Sequence, residues 1–214
     1  MKRFLLLYGL FLNVSVHAQI REQYDVEVIA LIGFLNANYY GSSEVRDNKS
    51  ITTFTYGFNA DFYQNERWSV RLGYESKILG SNGYSNNLYS KKELKAKEKL
   101  KYVYIPVHAN WHFGNERNWN LNFGPSISFL KSLNFNNKDI SIDGLSNMQF
   151  GLGLGIGYKY KISDQFSLSI EHQEYLAISN NINNIFKNSP FIGNYFGSLE
   201  LRLIYNFKTK KLFL

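Results

Sequence analysis

The residues that could carry chemistry are three histidines, a glycine ladder and scattered charges. His108 and His112 lie four apart, and His172 stands further along. On a helix that spacing makes a metal pair. On a strand it puts both rings on one face but about 13 Å apart, too far for one ion. No Ser or carboxylate pattern around them assembles an acyl-transfer triad. Gly151, Gly153, Gly155 and Gly157 alternate with Leu152, Leu154 and Ile156. A dinucleotide loop needs Gly-x-Gly-x-x-Gly at a strand-to-helix turn, and position 156 is Ile. The chain has no Cys, which excludes thiol chemistry, disulfides and Cys-ligated zinc. No catalytic residues, metal site or cofactor is expected.

Lysines are densest between Ser90 and Lys101, where Lys91, Lys92, Lys95 and Lys97 accompany Glu93 and Glu98. Ser90 and Glu93 have capping-box spacing, which allows a short helix; a solvated loop is the alternative. The formal net charge is +7, a balance that favours anionic partners.

What these residues do depends on the elements that hold them. Lys2 and Arg3 precede an apolar run from Phe4 to Val16 that ends Val16-His17-Ala18. This pattern is an export signal over residues 1–18, leaving 19–214 as one domain. A nucleic-acid partner is not expected of an exported chain. Mean hydropathy is −0.29, which excludes a bundle of membrane helices.

From Tyr24 to Phe207, large apolar residues fall on every second position in eight segments, which is strand periodicity. The clearest puts Met148, Phe150, Leu152, Leu154, Ile156, Tyr158 and Tyr160 on one face, with the glycines, Gln149, Lys159 and Lys161 on the other. Phe54 to Phe62, Trp68 to Tyr74, Trp119 to Phe129 and Leu199 to Phe207 repeat the pattern. The segments from Val26, Val103 and Phe166 fit less cleanly.

A soluble sandwich hides the apolar face, whereas a membrane barrel turns it to lipid. Three features favour the barrel. The minority face carries Gly, Ser, Asn and charges, with no second apolar set to fill a core. Short turns at Gln64-Asn65-Glu66, Gly114 to Arg117 and Ser163-Asp164-Gln165 alternate with long connections near 38–50, 80–99, 131–146 and 178–193. That alternation is the habit of outer-membrane barrels. Aromatics, including Trp68, Trp111 and Trp119, crowd the short-turn ends as an interfacial girdle would. The expected fold is all-β, an eight-stranded antiparallel transmembrane β-barrel. Unpaired edges cannot exist in lipid, so the first segment must pair with the last.

By parity the lumen receives Glu27, Asp61, Arg71, Glu75, Glu171, Glu200 and Arg202, together with His108 and His112. An eight-stranded lumen is just wide enough for side chains to fill. Buried charges must pair, so the expectation is a plug with Arg71 and Arg202 held among Glu27, Glu75, Glu171 and Glu200. A narrow ion path is the alternative. His172 faces lipid or a strand bend.

The stretches Tyr104-Ile105-Pro106-Val107, Leu121-Asn122-Phe123-Gly124-Pro125 and Phe150 to Tyr158 occur in that order. Leu168-Ser169-Ile170-Glu171 and a last strand ending Tyr205-Asn206-Phe207 follow. In these the chain resembles the small outer-membrane β-barrel family common in Bacteroidetes, which includes PorT-like proteins. The resemblance implies eight antiparallel strands in a bacterial outer membrane and insertion by the barrel assembly machinery. It does not specify an activity. Such chains often stop at the final aromatic, whereas this one continues from Lys208 to Leu214. Small barrels that edit lipid A use a His and a Ser near the outer rim, but His172 is followed by Gln173-Glu174. The expectation is a non-enzymatic structural or binding protein with long extracellular loops. It would meet outer-membrane lipid and lipopolysaccharide, through Lys91, Lys92, Lys95 and Lys97, and an extracellular or envelope protein. A pore and a lipid-modifying enzyme are the alternatives.

Overall fold

Alternation of apolar and small or polar residues folds the chain into one antiparallel sheet that closes on itself. The computed structural model describes residues 22–41, 49–86, 93–140, 145–180 and 191–208, without side chains for 83–96 and 140. The strands are β1 (Val26–Gly41), β2 (Lys49–Tyr63), β3 (Trp68–Asn86), β4 (Glu93–Phe113), β5 (Trp119–Phe135), β6 (Lys138–Ile140), β7 (Met148–Lys161), β8 (Phe166–Ala177) and β9 (Ile192–Phe207). Eight of them form the wall, and three-residue β6 folds back on β5 as a hairpin above it. Closure is made by β1 against β9, with pairs running from Val26↔Phe207 to Gly41↔Ile192. Residues 1–18, expected to direct export, lie outside the described residues, as does the tail beyond Lys208.

The period of two sets the faces. Phe34, Phe54, Phe58, Leu154, Ile170 and Leu201 stand exposed on the outer wall, while Glu27, Asp61, Arg71, Glu171, Glu200 and Arg202 are buried in the lumen. In water such an exterior would be an aggregation surface; in hydrocarbon it is the wetted face. The aromatic girdle is continuous over several short-turn ends. Trp68 stacks on Trp111, Trp111 on Phe113 and Phe113 on Trp119, with centroids 6.4, 4.9 and 6.3 Å apart. Phe166, Tyr205 and Phe207 continue the aromatic belt on β8 and β9.

The structure corrects three expectations. The Ser90–Lys101 stretch is neither helix nor loop from Glu93 onward: β4 starts there and pairs with β3 out to Asn86↔Glu93. Backbone hydrogen bonding extends the hairpin past the apolar band, where the outward positions carry Lys97, Lys99 and Lys101 in place of apolar residues. Likewise the 131–146 connection is shortened by β5 and β6, which turn at Asn136 and Asn137 with φ of 50° and 64°. Asn tolerates that left-handed region better than most residues. Lastly, the lumen is not polar throughout. Toward the long-loop end Leu35, Leu79, Leu100, Tyr104, Tyr175 and Phe196 pack into an apolar cluster. Apolar side chains that fill the upper barrel leave no polar group unpaired there.

Candidate functional site

The lower lumen is a charge network that the register assembles. Pairing sets Glu27 beside Asp61, Asp61 beside Arg71 and Glu171 beside Glu200. Arg71 forks onto Asp61, with Nε to Oδ1 at 2.8 Å and Nη2 to Oδ2 at 3.0 Å. Its Nη1 reaches across the lumen to Glu171 at 2.6 Å. The like charges of Glu171 and Glu200 are bridged by Arg202, whose Nη2 lies 2.8 and 2.6 Å from their carboxylates. Glu171 also accepts hydrogen bonds from Asn120 and Asn122, both at 3.0 Å, and from Gln173.

Every one of the seven lumen charges expected from parity is buried here. Their partners differ in part. Glu27 pairs with Lys159 at 2.5 Å and Glu75 with Lys77 at 2.7 Å, not with the arginines. Lys77 also reaches Glu200 at 3.2 Å. These two lysines complete the network, and both share the lumen parity of their strands. Lys159 sits on the glycine face of β7, and Lys77 follows Glu75 by two. Lys77 also marks the boundary of the two layers. Its ammonium lies 4.9 Å from the Tyr104 ring centroid and 4.8 Å from that of Phe196, a cation–π arrangement.

His108 and His112 are lumen struts. His108 Nδ1 bonds Asn122 at 3.1 Å, and His112 Nε2 bonds Ser69 Oγ at 2.9 Å while its ring stacks on Tyr63. The Ser69–His112 contact has the elements of a nucleophile and base, but both side chains are buried. No group of three ligating side chains gathers among the described residues. His172 points outward, with Nε2 2.7 Å from Glu174 Oε1.

The glycine ladder lets the layers close. A Cβ at Gly153 would sit 2.6 Å from the His108 ring, and one at Gly151 would sit 2.2 Å from the Tyr175 ring. The cavity left between Arg71, Glu75, Lys77, Tyr104, His108 and Arg202 is about 10 Å³, room for about one water. Around it the lumen is filled by buried side chains from the described strands.

On the outer wall, Lys99 and Lys101 follow the outward parity of β4 beyond Val103, and Lys97 continues it. Exposed Lys131 stands beside them on β5, where Lys101 pairs with Ser132. Of the four lysines expected to touch lipopolysaccharide, Lys97 is exposed. Lys91 and Lys92 lie outside the described residues, as does the side chain of Lys95. Asn181, Asn183 and Asn184 of the last long loop also lie outside them.

A family model described as outer membrane protein beta-barrel domain matches residues 4–206. Among solved structures, the outer membrane protein OprG from Pseudomonas aeruginosa is 12% identical over 90% of this chain and 100% of its own, with a TM-score of 0.48. Neisserial surface protein A is 15% identical over 82% and 96%, with a TM-score of 0.49. The attachment invasion locus protein Ail of Yersinia pestis is 10% identical over 86% and 99%, with a TM-score of 0.44. No curated protein matches the chain.

Proposed function

Because this chain belongs to the outer membrane protein β-barrel domain family, we propose that it is a non-conducting, non-enzymatic binding protein of the bacterial outer membrane, working through its outer rim rather than its lumen. The packed lumen carries this reading. A charge layer and an aromatic layer lie in series, with space for about one water between them. An ion would have to break buried pairs to pass, which costs several kcal/mol at each.

The rim offers Lys97, Lys99, Lys101 and Lys131 at the upper edge of the apolar wall. None of them forms an ion pair among the described residues. Lysines at that level meet the phosphates of lipopolysaccharide, and Lys91, Lys92 and Lys95 neighbour them in the sequence. Each contributes on the order of 1 kcal/mol near an anionic surface, less at high salt. The chain reads further as a PorT-like member of the family, on the strength of the strand motifs around Tyr104, Leu121 and Phe150. In this reading residues 1–18 direct export, the barrel assembly machinery inserts the barrel, and an envelope protein meets the long loops.

Two measurements test this. In planar bilayers the purified protein gives no stable conductance steps; ion-selective steps would overturn the sealed lumen. Lipopolysaccharide co-purifies with the wild type and is lost from a Lys97→Gln, Lys99→Gln, Lys101→Gln, Lys131→Gln variant. Equal retention by both would remove the lysine rim as the contact.

A further inference from the structure

The outer wall is not uniformly apolar. On β8 the outward side chains run Phe166, Leu168, Ile170, His172, Glu174, Leu176. Ile178 follows, also exposed. An ionisable pair is thus bracketed by apolar residues on both sides, at a depth that faces hydrocarbon. Polar side chains there are costly and are a functional-site signal by default.

Register extends the pair into a row. Glu174 lies opposite Gly197, Gly197 opposite Asn36, and Asn36 opposite Thr52. One line across β8, β9, β1 and β2 therefore reads acid, gap, amide, hydroxyl. The gap holds the carboxylate: a Cβ at Gly197 would sit 3.0 Å from Glu174 Oε1. Tyr195 lines the same notch from the row above. Asn36 and Thr52 are exposed. Together with Phe34 and Leu199 these residues line a notch of about 390 Å³. On its short-turn side Ala30, Ile32, Tyr56, Phe58, Leu201 and Leu203 line an apolar furrow of about 370 Å³.

We propose that this polar row binds the neutral polar linkage of an outer-leaflet lipid, an amide or hydroxyl at the head of an acyl chain, with the chain lying in the furrow. Three observations select this occupant. The row opens on the lipid-facing wall, so lipid is what wets it. Its lining has a carboxylate and no Lys or Arg, which suits a donor such as O–H or N–H and repels phosphate. The apolar furrow lies on its short-turn side, the direction an acyl chain takes. Asn36 and Thr52 bond the linkage, and Glu174, held by His172 at 2.7 Å, accepts from it. The site lies on β8, β9, β1 and β2, away from the lysines of β4 and β5, so it stands or falls apart from them.

The test uses the full chain in vesicles holding equal amounts of dihydroceramide, which has both an amide and hydroxyls, and dipalmitoyl phosphatidylglycerol. Native mass spectrometry then reads the lipid retained after detergent extraction. The wild type retains dihydroceramide over the phosphatidylglycerol by about ten-fold, as expected for one to two net hydrogen bonds. Gly197→Leu fills the notch, and Asn36→Leu with Thr52→Val strips its polar groups. Both put apolar side chains on a lipid-facing wall, and both abolish the preference while the barrel still shows its folded gel mobility. Equal retention of the two lipids, or a preference untouched by both variants, overturns the proposal. So does a double-mass species lost in Gly197→Leu, which would make a second copy of the chain the occupant.

Discussion

Replacing Glu171 by Leu removes the carboxylate on which the charge layer converges. Glu171 joins Arg71 and Arg202 across the lumen and takes the amides of Asn120, Asn122 and Gln173. Breaking a buried ion pair by deleting one partner costs about 3–5 kcal/mol, because the charge left behind stays buried. Here neither arginine is orphaned: Arg71 keeps Asp61 and Arg202 keeps Glu200. The expected loss is therefore at the lower end, about 3 kcal/mol. With a urea slope of about 2 kcal/mol per molar, the unfolding midpoint in lipid vesicles falls by roughly 1.5 M. Unheated gel mobility and fluorescence of the three Trp both report the transition. Glu171→Gln keeps an acceptor at the same place and loses less. A midpoint shift below about 0.3 M for Glu171→Leu would show that the network is solvated rather than buried, and the plug argument would fail.

Other outcomes follow from the same packing. Gly153→Val places a branched side chain where a Cβ already meets His108 at 2.6 Å; the folded band on an unheated gel is expected to vanish or weaken strongly. Replacing Tyr104, Tyr175 and Phe196 by Ala empties the aromatic layer but leaves the charge layer intact, so bilayer recordings stay silent; conductance steps would show that the charges do not seal the lumen. Ile32→Arg sits on the outer wall at 63% exposure. In water such a change costs under about 0.5 kcal/mol, whereas near mid-bilayer it costs about 2–4 kcal/mol, read as a lower urea midpoint in vesicles.

The barrel was legible because a two-residue period survives in nearly every strand, and lipid allows no open edge. The lumen charges were legible for the same reason: parity alone puts Asp61, Arg71 and Glu171 inside. Lys77 was harder to find, because outward Ser76 interrupts the apolar alternation after Tyr74 and makes β3 look finished at Glu75. Lys159 shared the glycine face of β7, but its partner Glu27 lies 132 positions away, a distance only closure brings together. The upper lumen was obscured for another reason. Leu35, Tyr104, Tyr175 and Phe196 are apolar on the face that lower down is polar, so in those stretches both faces look alike. The β4 extension keeps a period of two, but lysines take the positions that apolar residues hold lower down, so a search for an apolar outer face stops short of it. The notch around Glu174 needed three-dimensional register, since Thr52, Asn36, Gly197 and Glu174 come from four separate strands.

The orientation of the wall is the claim on which the rest depends, and the absence of native Cys makes it directly measurable. Single Cys substitutions at Ile32, Phe58, Leu154 and Ile170 can each carry a spin label in the protein reconstituted into vesicles. Collision with lipid-soluble oxygen and with a water-soluble nickel chelate then reports the surroundings of each label. All four positions should be open to oxygen and closed to nickel. Nickel access at these sites in the folded protein would put the apolar face in water and contradict the account.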